Sequence, residues 1–133
     1  MSAVELTNKV IEEIHNYDFI VMNYANPDMV GHSGSVSATV KGSETVDIQV
    51  KQIVESVLAL DGTAVITADH GHAEEMRSSD GQILTEHTKN PVPFIIVANC
   101  YKNKPIELPK GVLGDIAPTI LHMMNISTPV EMT

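Results

Sequence analysis

Apolar positions along this chain follow two rhythms. Over residues 2–16, Leu6, Val10, Ile11 and Ile14 recur at three- and four-residue intervals and share one face of a helix. Ser2 and Glu5 stand at capping-box spacing at its start. Residues 19–22, Phe-Ile-Val-Met, then form an unbroken apolar run of strand length. Helical spacing returns over 36–60 through Val46, Val50, Ile53, Val57 and Leu60, with Gly42 weakening its beginning. Asp61-Gly62 turns the chain into a second strand at 63–67. The order strand, helix, strand predicts parallel strands joined by a right-handed crossover.

Residues 71–92 are polar, with Ser78, Ser79, Asp80 and Gly81 at their middle, and read as a loop or small hairpin. A third strand is predicted at 94–98, followed by a connection at 101–109 that contains lysine and proline. A last helix starts with Asp115 as N-cap and Pro118 in its first turn, and ends near Asn125. The tail from 126 to 133 reads as cut off, and the first strand has no evident upstream neighbour in the sheet. Three strands make a thin sheet for an autonomous domain. No internal repeat or low-complexity segment interrupts this pattern.

Chemistry gathers where these strands end. The run 64–66 leads into Thr67-Ala68-Asp69-His70-Gly71, which delivers an acid and an imidazole side by side at a strand end, the place where open α/β sheets keep their sites. The strand at 19–22 leads into Asn26-Pro27-Asp28-Met29-Val30-Gly31-His32, with an acid and an imidazole four residues apart. Glu86-His87-Thr88-Lys89-Asn90-Pro91-Val92-Pro93 places another imidazole just before the third strand. A single such pair is more often a turn cap beside a surface histidine. Three strand-adjacent loops with a histidine each, two of them with an aspartate, converge if the strands are neighbours. Carboxylate oxygen with neutral imidazole suits Mn²⁺ or Zn²⁺.

Composition narrows the classes. The chain has 133 residues, one domain's worth, and its 8 Lys and Arg against 17 Asp and Glu give a net charge of −9. That balance argues against a nucleic-acid surface and suits a cation site. One cysteine, Cys100, excludes an internal disulfide and fits a reducing compartment. No apolar run approaches the roughly 18 residues of a membrane span, and the start lacks a signal-peptide pattern, so a cytoplasmic location is expected.

The segments 26–32, 67–71 and 87–93, in this order, resemble the C-terminal part of the cofactor-independent phosphoglycerate mutase family, within the alkaline phosphatase superfamily. Tyr17-Asp18-Phe19-Ile20 and Leu113-Gly114-Asp115-Ile116-Ala117-Pro118-Thr119-Ile120 extend the resemblance over nearly the whole chain. It implies an α/β fold, an alkaline phosphatase-like three-layer sandwich with a mostly parallel sheet. Residues 1–133 would supply only the C-terminal portion of the metal-binding, phosphatase-like domain; the nucleophile-bearing N-terminal portion and an inserted substrate domain would be absent.

The same resemblance implies two divalent metal ions, Mn²⁺ first and Zn²⁺ or others after it. Asp28, His32 and His87 would hold one, and Asp69 and His70 the other, whose set is incomplete in this chain. The nucleophilic serine would lie upstream, as would the groups that bind 3-phosphoglycerate and 2-phosphoglycerate; Arg77 is the only arginine here. The chain alone is expected to be inactive, with the missing N-terminal portion as its partner. Competing readings are another phosphoryl-transfer enzyme of the superfamily, a phosphatase or phosphopentomutase, and a non-catalytic metal-binding or assembly module.

Other residues take plainer readings. The family usually carries Asn where this chain has His72, which reads as a solvated loop residue, with a role beside the phosphate or behind the metal ligands as the alternative. Glu74 and Glu75 read as exposed acids after a turn, with a role in orienting the metal ligands from behind as the alternative. Ser33 and Ser35 lie near His32 but not where the family places its serine. His15 and His122 are structural residues on helices, Cys100 is a small buried or edge residue, and the seven methionines, notably Met123 and Met124, are core filler.

Overall fold

A computed structural model of the chain describes residues 2–104 and 106–132. Met1, one of the presumed core fillers, Pro105, in the expected connection, and Thr133, at the end of the tail, lie outside the described residues. The chain divides into two compact units, residues 1–102 and 103–133.

The first unit opens with α1, Ala3–Glu13, extended by a single 3₁₀ turn over Ile14–Asn16. Its capping box is complete: the Ser2 amide donates to Glu5 Oε2 at 2.9 Å, and the Glu5 amide donates to Ser2 Oγ at 3.2 Å. The predicted face is the covered one, with Leu6, Val10, Ile11 and Ile14 half-buried around the buried Ala3 and Thr7. A short helix, α2, spans Asn26–Gly31. The long helix α3, Val36–Ala59, begins on Ser35, whose hydroxyl accepts from the Ala38 amide, and packs against α1 and α2. At its end Asp61 turns left-handed with φ 56° and the Gly62 amide returns to the Val57 carbonyl, while the Asn99 side-chain amide donates to the Leu58 carbonyl.

Strand β1, Thr63–Thr67, pairs with β2, Phe94–Ala98, in a two-stranded sheet whose register runs from Thr63 opposite Ala98 to Thr67 opposite Phe94. The pairing is antiparallel, which corrects the expectation of a mostly parallel sheet. The reason lies between the strands. Residues 68–93 hold no helix to carry the chain back for a parallel return; they double back through isolated antiparallel bridges at Gly71–Thr88 and Arg77–Ile83 around a turn at 78–82. Residues 19–22 form no ladder among the described residues, so the strand expected there and its crossover are absent. Phe19 is 51% and Val21 80% exposed while Ile20 and Met22 are half-buried, so one side of the apolar run faces solvent.

The core is correspondingly small. Met76 is buried, but Met29, Met124 and Met132 are exposed, so the methionines are not uniformly core filler. Cys100 is exposed in the 3₁₀ turn after β2, an edge residue rather than a buried one. His15 and His122 are exposed too, so neither is tied into a core.

In the second unit, a 3₁₀ turn over Leu113–Asp115 leads into α4, Ile116–Met123. Asp115 sits at the expected N-cap position but turns its carboxylate back to accept from the Val112 amide at 2.7 Å. Among the described residues no helix is long and apolar enough to cross a membrane.

Candidate metal centre

The motif at 26–32 is a helical turn rather than the open loop its sequence implied. Pro27 lies in the first turn of α2, where a missing N–H leaves no bond unmade. The turn puts Asp28 and His32, four residues apart, on the same side, with Asp28 Oδ1 3.5 Å from His32 Nε2. His87 arrives from the returning arm of the hairpin. Its Nε2 lies 3.2 Å from Asp28 Oδ1 and 3.2 Å from His32 Nε2. The three atoms form a nearly equilateral triangle. Ligands about 2.1 Å from a tetrahedral ion are about 3.4 Å apart, so the triangle has the size of one face of such a coordination shell.

The ring of His32 is already set for ligation. Its Nδ1 lies 2.8 Å from the Thr85 carbonyl, which accepts but cannot donate, so the proton resides on Nδ1 and the Nε2 lone pair faces the triangle. The hydrogen bond from His72 holds Asp28 below the ordinary carboxylate range against the opposing effect of desolvation, with the nearby His32 and His87 rings assisting. Donor chemistry, spacing and tautomer thus fit a divalent cation.

Two straps bring His87 to this place. The Thr88 amide donates to the Gly71 carbonyl at 2.8 Å, and Glu74 gathers three donors: the His72 amide at 2.6 Å, the Asn90 side-chain amide at 3.0 Å and the Thr88 hydroxyl. Desolvation is the largest single influence on Glu74 and raises its pKa, but these hydrogen bonds together outweigh it and hold the carboxyl at about 2. Glu74 is therefore a clamp between the two arms of the hairpin, more than an exposed acid after a turn. Gly71 permits the clamp, because a Cβ there would overlap Thr88 Oγ1 and Glu74 Oε1.

Asp69 and His70 lie beside the triangle but not in it. The His70 ring stacks on His87, with centroids 3.6 Å apart and planes 14° off parallel, and Asp69 Oδ1 is 3.7 Å from His70 Nε2. The pair has its ligand atoms near each other, and Asp69 is largely exposed. Ser33 donates to the Val30 carbonyl and Ser35 caps α3, so both hydroxyls have structural work. Arg77 donates to the Gly81 carbonyl in the hairpin turn.

His72 overturns its sequence reading. It is 4% exposed, not solvated, and its Nδ1 lies 2.7 Å from Asp28 Oδ1. Among the described residues, Asp28, His32, His72 and His87 form the group whose potential ligand atoms all lie within 4.8 Å of one another. The signal that could have located His72 is Gly31: a Cβ there would lie 2.8 Å from His72 Cε1, so the glycine makes room for an imidazole from a distant loop.

Comparison with known proteins agrees with this geometry. Residues 1–128 match the model of a family described as the metalloenzyme superfamily. The 2,3-bisphosphoglycerate-independent phosphoglycerate mutase of Clostridioides difficile strain 630 is 50% identical over 136 residues, covering 100% of this chain and 26% of the relative. That of Clostridium botulinum strain Langeland is 52% identical over 137 residues, with the same coverage. Among solved structures, Leishmania mexicana phosphoglycerate mutase at low cobalt concentration superposes with a TM-score of 0.85 at 27% identity, over 98% of this chain and 27% of that one. The chain thus spans about a quarter of the length of the relatives it matches. With all but its last few residues inside the family match and a converged carboxylate and imidazole set at its centre, the chain belongs to the metalloenzyme superfamily.

Proposed function

We propose that this chain is the metal-holding portion of a phosphoglycerate mutase that interconverts 3-phosphoglycerate and 2-phosphoglycerate. The observation that carries this reading is the triangle of Asp28 Oδ1, His32 Nε2 and His87 Nε2, within a chain half identical to mutases of that name. Asp28, His32 and His87 hold one divalent cation, with Mn²⁺ first among those that suit the set. Asp69 and His70 contribute to a second, whose other ligands come from the N-terminal portion of the enzyme. Bound cations of this kind lower the pKa of a hydroxyl nucleophile and neutralise charge on a transferring phosphoryl group.

In this reading the remaining portion supplies the serine, which takes the phosphoryl group from the 3-position as a phosphoserine and returns it to the 2-hydroxyl. This chain's part is to fix ligand geometry. His32 is held in its ligating tautomer by Thr85, and Glu74 ties the loop of His70 to that of His87. The missing portion also completes the sheet of a three-layer sandwich beside residues 19–22. Glycolysis in the cytoplasm is the setting that this activity implies.

The test is a chimera in which this chain replaces the matching quarter of the Clostridioides difficile enzyme. It is expected to convert 3-phosphoglycerate to 2-phosphoglycerate in the presence of Mn²⁺ and to lose that activity on His87→Ala. A folded, Mn²⁺-loaded chimera without mutase activity refutes the proposal.

A further inference from the structure

His72 is the one imidazole of the cluster that the mutase reading leaves without a task. It is also the most deeply buried, at 4% exposure, and it comes from a loop 44 positions along the chain from Asp28. Its backbone is held on both sides: its amide donates to Glu74 Oε2 at 2.6 Å, and its carbonyl accepts from the Glu75 amide at 3.2 Å. Its ring is wedged against Gly31, where no larger residue fits.

We propose that His72 is the positioning residue of the centre: its Nδ1–H grips Asp28 Oδ1 and aims that oxygen at the cation shared with His32 and His87. The proposal rests on the reading of those three residues as a cation site. Three observations favour gripping over direct ligation. The separation of 2.7 Å is that of a charge-assisted hydrogen bond and well short of the about 3.4 Å between two ligands of one tetrahedral ion. An ionised carboxylate accepts only, so the proton is on Nδ1. The other ring nitrogen, Nε2, is buried without a hydrogen-bond partner, so Nδ1 carries the hydrogen bond that the ring makes.

The same oxygen that His72 holds faces His32 Nε2 at 3.5 Å and His87 Nε2 at 3.2 Å. A carboxylate oxygen has a lone pair for each purpose, so the hydrogen bond and the metal bond are compatible. Without the grip, Asp28 is free to rotate about its χ angles, and every binding event must then restrain it. Losing such a partner behind a metal ligand weakens binding about 10- to 100-fold.

The test uses Co²⁺ as the probe, on the full chain and its His72→Ala, His72→Asn and His87→Ala variants, each checked for fold by circular dichroism. Calorimetry reads affinity, the visible absorption of bound Co²⁺ reads the ligand set, and ¹⁵N–¹H NMR of the metal-free wild type reads the His72 tautomer, which needs no variant. The expected results are a proton on His72 Nδ1, an affinity loss of about 10- to 100-fold in His72→Ala, and recovery of most of it in His72→Asn, whose amide N–H can replace the imidazole donor. The Co²⁺ bands of His72→Asn should match the wild type, since no ligand atom has been removed. A proton on Nε2, wild-type affinity in His72→Ala, or shifted bands in His72→Asn overturns the positioning role. A wild-type chain that takes up no Co²⁺, or a His87→Ala variant that binds like wild type, overturns the cation site and the positioning role together.

Discussion

Replacing Glu74 by Gln removes a charge and one of its two acceptor oxygens from the clamp that ties the 71–74 loop to Thr88 and Asn90. The carboxyl is held at about 2 against an ordinary 4.5, a gap of some 2.5 units. At 1.36 kcal/mol per unit this is about 3 kcal/mol before screening. Glu74 is exposed, so solvent reduces the share that reaches stability to about 1–1.5 kcal/mol. Because the folded-state pKa is depressed, the contribution is fully present above pH 4.5 and fades as pH falls from there toward 2. Thermal unfolding followed by circular dichroism should put Glu74→Gln about 3–8 °C below wild type at pH 7. At pH 3 the gap should be markedly smaller. A gap that stays constant from pH 7 to pH 3, or no gap at pH 7, refutes the assignment of Glu74 as an ionised clamp.

Calorimetric titration with Mn²⁺ should show about one equivalent bound to the wild-type chain, and the His87→Ala variant should bind none at the same concentrations, because one corner of the ligand triangle is gone. Gly31→Ala should destabilise the chain by about 1–3 kcal/mol, read as a lowered Tm, since its methyl would meet the buried ring of His72. Ser2→Ala removes the hydroxyl that caps α1 and should cost about 1 kcal/mol in the same assay, with Mn²⁺ affinity unchanged. The purified chain by itself should produce no 2-phosphoglycerate from 3-phosphoglycerate with Mn²⁺ present; measurable turnover would show that no other portion is needed.

Much of the local structure was legible in the residues. The Ser2 and Glu5 pair marked the start of α1, and Val46, Val50, Ile53 and Val57 marked the covered face of α3, because capping and a 3.6-residue period are satisfied within one element; Leu60, read as part of that face, lies past the helix end and is exposed. The apolar runs at 63–67 and 94–98 are strands. The helical turn α2, which puts Asp28 and His32 on one side, was not legible, since 26–32 reads as a loop. The family resemblance that the motifs carry named Asp28, His32 and His87 as ligands, and the fold brings their potential ligand atoms within 4.8 Å of one another.

Pairing direction was not legible, because an apolar run is the same read in either direction; the helix-free return through 68–93 makes β1 and β2 antiparallel. Nor could the run at 19–22 reveal whether a neighbouring strand covers it. His72 shows the same limit at the scale of one side chain. Two residues after His70, in a polar loop, it resembles any solvated histidine, and what buries it is remote in sequence: a missing Cβ at Gly31, an acceptor at Asp28 and a clamp through Glu74 to Thr88. Helices and caps are set by neighbours a few positions away, and their rules are local. The centre is built from contacts that span as many as 55 positions, and those exist only once the hairpin has folded back onto α2.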